Sequence, residues 1–83
     1  MIGYKMSKEF TIVIASDSEH EKVFAEVYFL GKFVALVSQE KGLDQLRVEF
    51  PSSNVDESMI VREVDVDGFK QALITAAKKL ALG

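Results

Sequence analysis

Residues 22–38 read KVFAEVYFLGKFVALVS, two apolar runs on either side of Gly31-Lys32. Runs this rich in Val, Phe and Tyr, interrupted only by a turn pair, fold back as two antiparallel strands. A Gly-X pair suits the type II′ turn of a two-residue hairpin, which sets Leu30 opposite Phe33, Tyr28 opposite Ala35 and Glu26 opposite Val37. One face of the hairpin then carries Val23, Ala25, Val27, Phe29, Val34 and Leu36, all apolar. The other carries Phe24, Glu26, Tyr28, Leu30, Phe33, Ala35 and Val37. Such a hairpin must be covered on its purer face, and its second face shows aromatic rings around Glu26 to solvent or to a partner.

The flanking segments supply more strands and one cover. EFTIVIAS alternates, with Phe10, Ile12 and Ile14 on one side and Thr11, Val13 and Ala15 on the other, and reads as a strand before the hairpin. After QEKGLDQ, where Gly42 suits a backbone of positive φ, LRVEFP points Leu46, Val48 and Phe50 inward and ends at Pro51. SSNVDES is a polar loop, and MIVREVDV is expected as a fifth strand. The period then changes. Phe69, Leu73, Ala76 and Leu80 recur at helical spacing, widened by Ala72 and Ala77, with Asp65 or Asp67 as cap and Lys78 and Lys79 at the negative end of the dipole. Strands followed by one helix predict an α+β domain spanning residues 1–83: an antiparallel, meander-like sheet of four to five strands with a C-terminal helix on one face.

At 83 residues most of the apolar side chains are needed for that core. There is no cysteine, hence no disulfide or thiolate metal site, which suits a reducing cytoplasm. No apolar run reaches the roughly 18 residues of a membrane span. The start, MIGYKMSKEF, lacks the apolar stretch of about 7–15 residues of a signal peptide, so residues 1–8 are expected to be a loose tail. The formal charge is −3, but residues 49–67 carry Glu49, Asp56, Glu57, Glu63, Asp65 and Asp67 against Arg62 alone. An acidic middle repels phosphates and argues against nucleic acid. The acids read either as protection of a strand edge or as a steering patch for a basic partner.

SDSEHEKV, residues 16–23, contains the one histidine. Asp17, His20 and Glu21 are the pairs with helical ligand spacing, but no second histidine or cysteine completes a closed metal site. Ser16-x-x-Glu19 and Ser18-x-x-Glu21 fit a capping box, and the segment reads as a polar turn with a solvated His20. No G-x-S-x-G elbow frames Ser16 or Ser18, and no glycine-rich phosphate loop is present. Glu26 with Glu49, or Glu26 with Arg47, read as surface charge pairs on a sheet. The reading is therefore non-enzymatic, without metal or cofactor.

Together the apolar hairpin, the SQE-x-G turn, the strand ending in EFP and the VD-x-DGF helix entry make the chain, over about residues 9–82, resemble the small α+β immunity proteins of bacterial polymorphic toxin systems. The resemblance implies a cytoplasmic protein that binds a cognate toxin domain and blocks it. Strand register offers Phe24, Tyr28 and Phe33 as anchors for that contact, with Glu26, Arg47 and Glu49 around them. Strands followed by a C-terminal helix also resemble the single-stranded-DNA-binding domain of transcriptional coactivators, faintly echoed in VREVDVDGFKQAL. That family binds through a basic sheet face, whereas the hairpin here holds only Lys22 and Lys32. A homodimer pairing through the uncovered face is a third reading.

Overall fold

A computed structural model describes residues 2–5 along the backbone and residues 9–83 in full. Strands β1 (Ile2–Lys5), β2 (Phe10–Ala15), β3 (Phe24–Phe29), β4 (Lys32–Ser38) and β5 (Arg47–Glu49) form one sheet in chain order, every neighbour antiparallel. A 3₁₀ turn (Glu57–Met59) leads to helix α1 (Val66–Leu82), which packs on β2, β3 and β4. This is the expected α+β meander with a terminal helix. Two elements differ from expectation. Residues 2–5 pair with β2 instead of trailing as a tail, and the rest of that tail (1 and 6–8) lies outside the described residues.

MIVREVDV is not a strand. Ile60 makes a single parallel bridge with Phe33, supported by Val61 N–H donating to the Phe33 carbonyl at 2.9 Å. Local side-chain bonds take over from the ladder here. Asp56 caps the 3₁₀ turn by accepting from Ser58 N–H, and Arg62 grips Glu57 through Nε and Nη2 at 2.8 and 2.7 Å.

The hairpin closes one residue earlier than the Gly31-Lys32 turn predicts. Phe29 pairs with Lys32, and Leu30 and Gly31 both have positive φ (51° and 81°), as a type I′ connection requires. A register shift follows between Val27 and Tyr28, whose partners are Ala35 and Phe33, leaving Val34 as an extra residue. Past it Glu26 faces Leu36 and Ala25 faces Val37. Ala35 and Val37 therefore join the face that carries Ala25 and Val27, and Leu36 crosses to the other, the reverse of the expected sorting.

The core lies between that face and α1. Phe10, Ile12, Ala25, Val27, Ala35, Val37, Ala72, Ala76 and Leu80 are buried together, and Phe10 meets Phe29 edge-on at 5.0 Å. Alanines where helix and sheet meet let the two backbones approach closely. Asp65 is the N-cap, its carboxylate accepting from Gly68 N–H at 2.7 Å, with Asp67 in the first turn and Lys79 in the last. A helix about 10–12 Å across cannot cover five strands spaced about 4.8 Å apart. Val48 and Phe50, expected inward, are accordingly exposed, Phe50 by 68%, and of that segment Leu46 alone packs against the core.

Candidate functional site

The face that α1 leaves uncovered is set by register. Thr11, Tyr28 and Phe33 form one cross-strand row, and Val13, Glu26, Leu36 and Glu49 form the next. Ala15 pairs with Phe24, and Ser38 pairs with Arg47, at the end beyond. All six residues expected at a contact surface, Phe24, Glu26, Tyr28, Phe33, Arg47 and Glu49, thus share one face. Tyr28 and Phe33 stand edge-to-face at 5.7 Å, and Tyr28 Oη donates to Glu26 at 3.3 Å. Partial burial, then the Glu26 carboxylate, push the Tyr28 phenol above its ordinary pKa, so it stays a neutral donor. Tyr28, Phe33 and Leu36 are half-buried, whereas Arg47 and Glu49 are exposed. Leu36 separates Glu26 from Glu49, so these carboxylates do not form the pair that strand alternation suggests.

Phe24 is a correction. It is on the expected face but only 3% exposed, because the β2–β3 loop folds over it and the His20 imidazole stacks on its ring at 4.7 Å with 9° between planes. His20 is likewise no solvated side chain, its own being 10% exposed. Nδ1 lies 2.8 Å from Asp17 Oδ1, and Nε2 lies 3.2 Å from Glu49 Oε2 on β5. Asp17, not Ser16 or Ser18, organises the turn by accepting from the N–H groups of Glu19 and His20 at 3.0 and 2.9 Å. The loop's other end is stapled by Glu40, which accepts from Glu21 N–H and Lys22 N–H at 2.8 and 2.9 Å, and by Gln39 Nε2, which donates to the Val23 carbonyl. Those two amides hold the Glu40 carboxyl below its ordinary pKa.

With a carboxylate on each ring nitrogen, His20 presents neither nitrogen to a substrate. The described residues include no cluster of three side chains able to hold a metal ion, and none of their helices is long and apolar enough to cross a membrane.

Hydrogen bonding to Asp17, and then to Glu49, raises the His20 pKa above the ordinary 6.5, and the partner bond lowers that of Asp17 below 3.8. A raised histidine pKa contributes stability that is complete below the unfolded value and lost as pH rises through the folded one. A lowered aspartate pKa contributes stability that is present above the unfolded value and lost as pH falls through the folded one. The urea midpoint should therefore decline as pH climbs from 6.5 through the folded pKa of His20, and that decline should vanish in His20→Gln. An equal decline in the variant would assign the pH dependence to other groups.

A depression of about 540 Å³, lined among others by Val34, Phe50, Val61, Glu63, Val64 and Phe69, opens beside the start of α1. Four acids of the 49–67 run have local work. Asp56 and Asp65 cap, Glu57 holds Arg62, and Glu49 holds His20. The acidic run thus contributes structure wherever else its charge acts.

In comparisons with protein-family models, curated proteins and solved structures, nothing matches this chain.

Proposed function

We propose that the protein is a non-enzymatic binding domain of the immunity type, which engages a cognate bacterial toxin domain in the cytoplasm through the uncovered sheet face. One observation carries the reading: Tyr28, Phe33 and Leu36 form an apolar centre with Glu26, Arg47 and Glu49 around it, on a face that α1 does not reach. Half-buried aromatic rings inside a polar surround make the anchors of protein interfaces, because they are already ordered and lose little side-chain entropy on docking. Glu26 and Glu49 share the face with Arg47, a mixed polar rim that suits a protein surface and opposes a phosphate backbone. The sequence features shared with immunity proteins point to the same role.

Co-expression with the toxin encoded beside the gene is expected to restore growth. Tyr28→Ala with Phe33→Ala should lose that rescue while the fold, followed by far-ultraviolet circular dichroism, persists. Anchors of this kind cost about 2 kcal/mol or more each when truncated, which is roughly 30-fold in Kd per ring. Absence of rescue by the parent protein, or full rescue by the double variant, would remove the reading.

A further inference from the structure

The Phe24 end of the uncovered face is closed by the β2–β3 loop with the His20 ring stacked on Phe24, and the way that ring is held suggests a control on the face. We propose that His20 is a proton-operated clasp: the charged imidazole holds residues 16–20 over Phe24, and loss of its proton frees that segment and adds the Phe24 ring to the exposed aromatic surface. The regulatory meaning rests on reading that face as the contact surface; the clasp itself does not.

The geometry specifies the protonation state. An imidazolium has two N–H donors, and His20 faces a carboxylate oxygen from each nitrogen, Asp17 at 2.8 Å and Glu49 at 3.2 Å. A neutral ring has one N–H, so its other nitrogen would aim a lone pair at a carboxylate about 3 Å away. One bond is lost and a repulsion replaces it.

The two contacts are unequal in consequence. Asp17 belongs to the loop itself, whereas Glu49 is on β5, so Nε2 to Glu49 is the link that carries the ring across β3 and β4.

The charged groups that act on the ring's proton are the carboxylates Asp17 and Glu49. Asp17 faces it from its own loop and Glu49 from β5. Glu40, from the turn after β4, feels the ring's charge and that of Lys22. Arg47, the cation on β5, is paired in register with Ser38, and β3 contributes only the apolar Phe24 ring. The hydrogen bonds to Asp17 and Glu49 raise the proton's release above the ordinary 6.5.

The motion is bounded. Glu40 and Gln39 grip residues 21–23 through backbone groups that do not titrate. Residues 16–20 would swing about that grip while β3 stays in the sheet.

The test uses the isotopically labelled full chain alone, followed by NMR from about pH 5.5 to 9, where the single histidine gives unambiguous ring signals. His20 should titrate above 6.5. The Phe24 ring and the amides of Glu19 and His20 should share its midpoint, while the amides of Glu21 and Lys22 stay fixed. Relaxation of the Phe24 ring protons by the neutral paramagnetic probe TEMPOL should grow several-fold across the transition. Glu49→Gln should lower the midpoint, and His20→Gln should abolish the transition.

A ring that titrates at or below 6.5, or a Phe24 ring equally shielded from TEMPOL at both ends of the range, would overturn the clasp. No partner is present in this measurement, so a failed growth rescue removes the contact surface and leaves a titrating clasp standing. A flat TEMPOL profile removes the clasp and leaves the Tyr28–Phe33 surface standing.

Discussion

Ile12→Ala is expected to lower the unfolding free energy by about 2–5 kcal/mol, and Val13→Ala, one residue along the same strand, by under about 1.5 kcal/mol. Ile12 is fully buried opposite Val27, on the face that α1 covers. Its removal leaves a void that the close-packed alanines of the helix cannot fill. Val13 points the other way, towards Glu26 and partial solvent. A domain of this length has roughly 4–12 kcal/mol of stability in all, so the first substitution brings the fold near its limit. Urea unfolding followed by circular dichroism, compared at equal slope, separates the two. Equal losses would mean that both faces are covered, and the uncovered surface on which the binding role depends would not exist.

That two-sidedness was legible in the sequence, although the register that produces it was not. Alternation in EFTIVIA assigns Ile12 and Val13 to opposite sides without reference to any partner strand, and the Phe69, Leu73, Ala76, Leu80 spacing marks the helix. The loop is Leu30-Gly31 rather than Gly31-Lys32 because Leu30 adopts positive φ, a conformation uncommon outside glycine and asparagine, and no residue preference announces it. Near the turn the true pairing differs from the expected one by two residues, which preserves sides, and Phe33 stays beside Tyr28. Beyond Val34 it differs by one, which reverses sides, so Leu36 changes places with Ala35 and Val37.

Phe24, Glu26 and Tyr28 kept their face because β3 takes its sidedness from its own alternation and from β2. His20 was invisible to local rules for a different reason. Its decisive partner is 29 residues away on an edge strand, and its burial depends on stacking over a phenylalanine that short-range patterning assigned to solvent. MIVREVDV has strand composition, but a path to the helix start and the Asp56 and Arg62 side-chain bonds decide its conformation.

Gly68→Ala tests the junction on which the covered face depends, and its sign is opposite to what helix propensity gives. Alanine in place of glycine ordinarily stabilises a helix by about 1 kcal/mol. Here an added Cβ would lie 2.6 Å from Phe10 Cε2 and 2.8 and 2.9 Å from the Asp65 carboxylate oxygens. Phe10 is only 3% exposed and packed against Phe29, so its ring has little room to retreat. The Asp65 carboxylate is held there by the cap bond it accepts from Gly68 N–H itself. Overpacking of this kind costs about 1–3 kcal/mol, and loosening the cap adds about 0.5–2 kcal/mol. Together they exceed the propensity gain, so the net expectation is a loss of about 0.5–4 kcal/mol, read as a Tm lower by roughly 2 °C or more. Phe10→Leu shortens the opposing ring, and in that background Gly68→Ala should cost markedly less. The coupling identifies the contact, since loss of the cap alone would be independent of residue 10. A stabilised Gly68→Ala protein would place α1 farther from β2 than 2.6 Å allows, and with it would go the tight cover that leaves the opposite face as the one open to a partner.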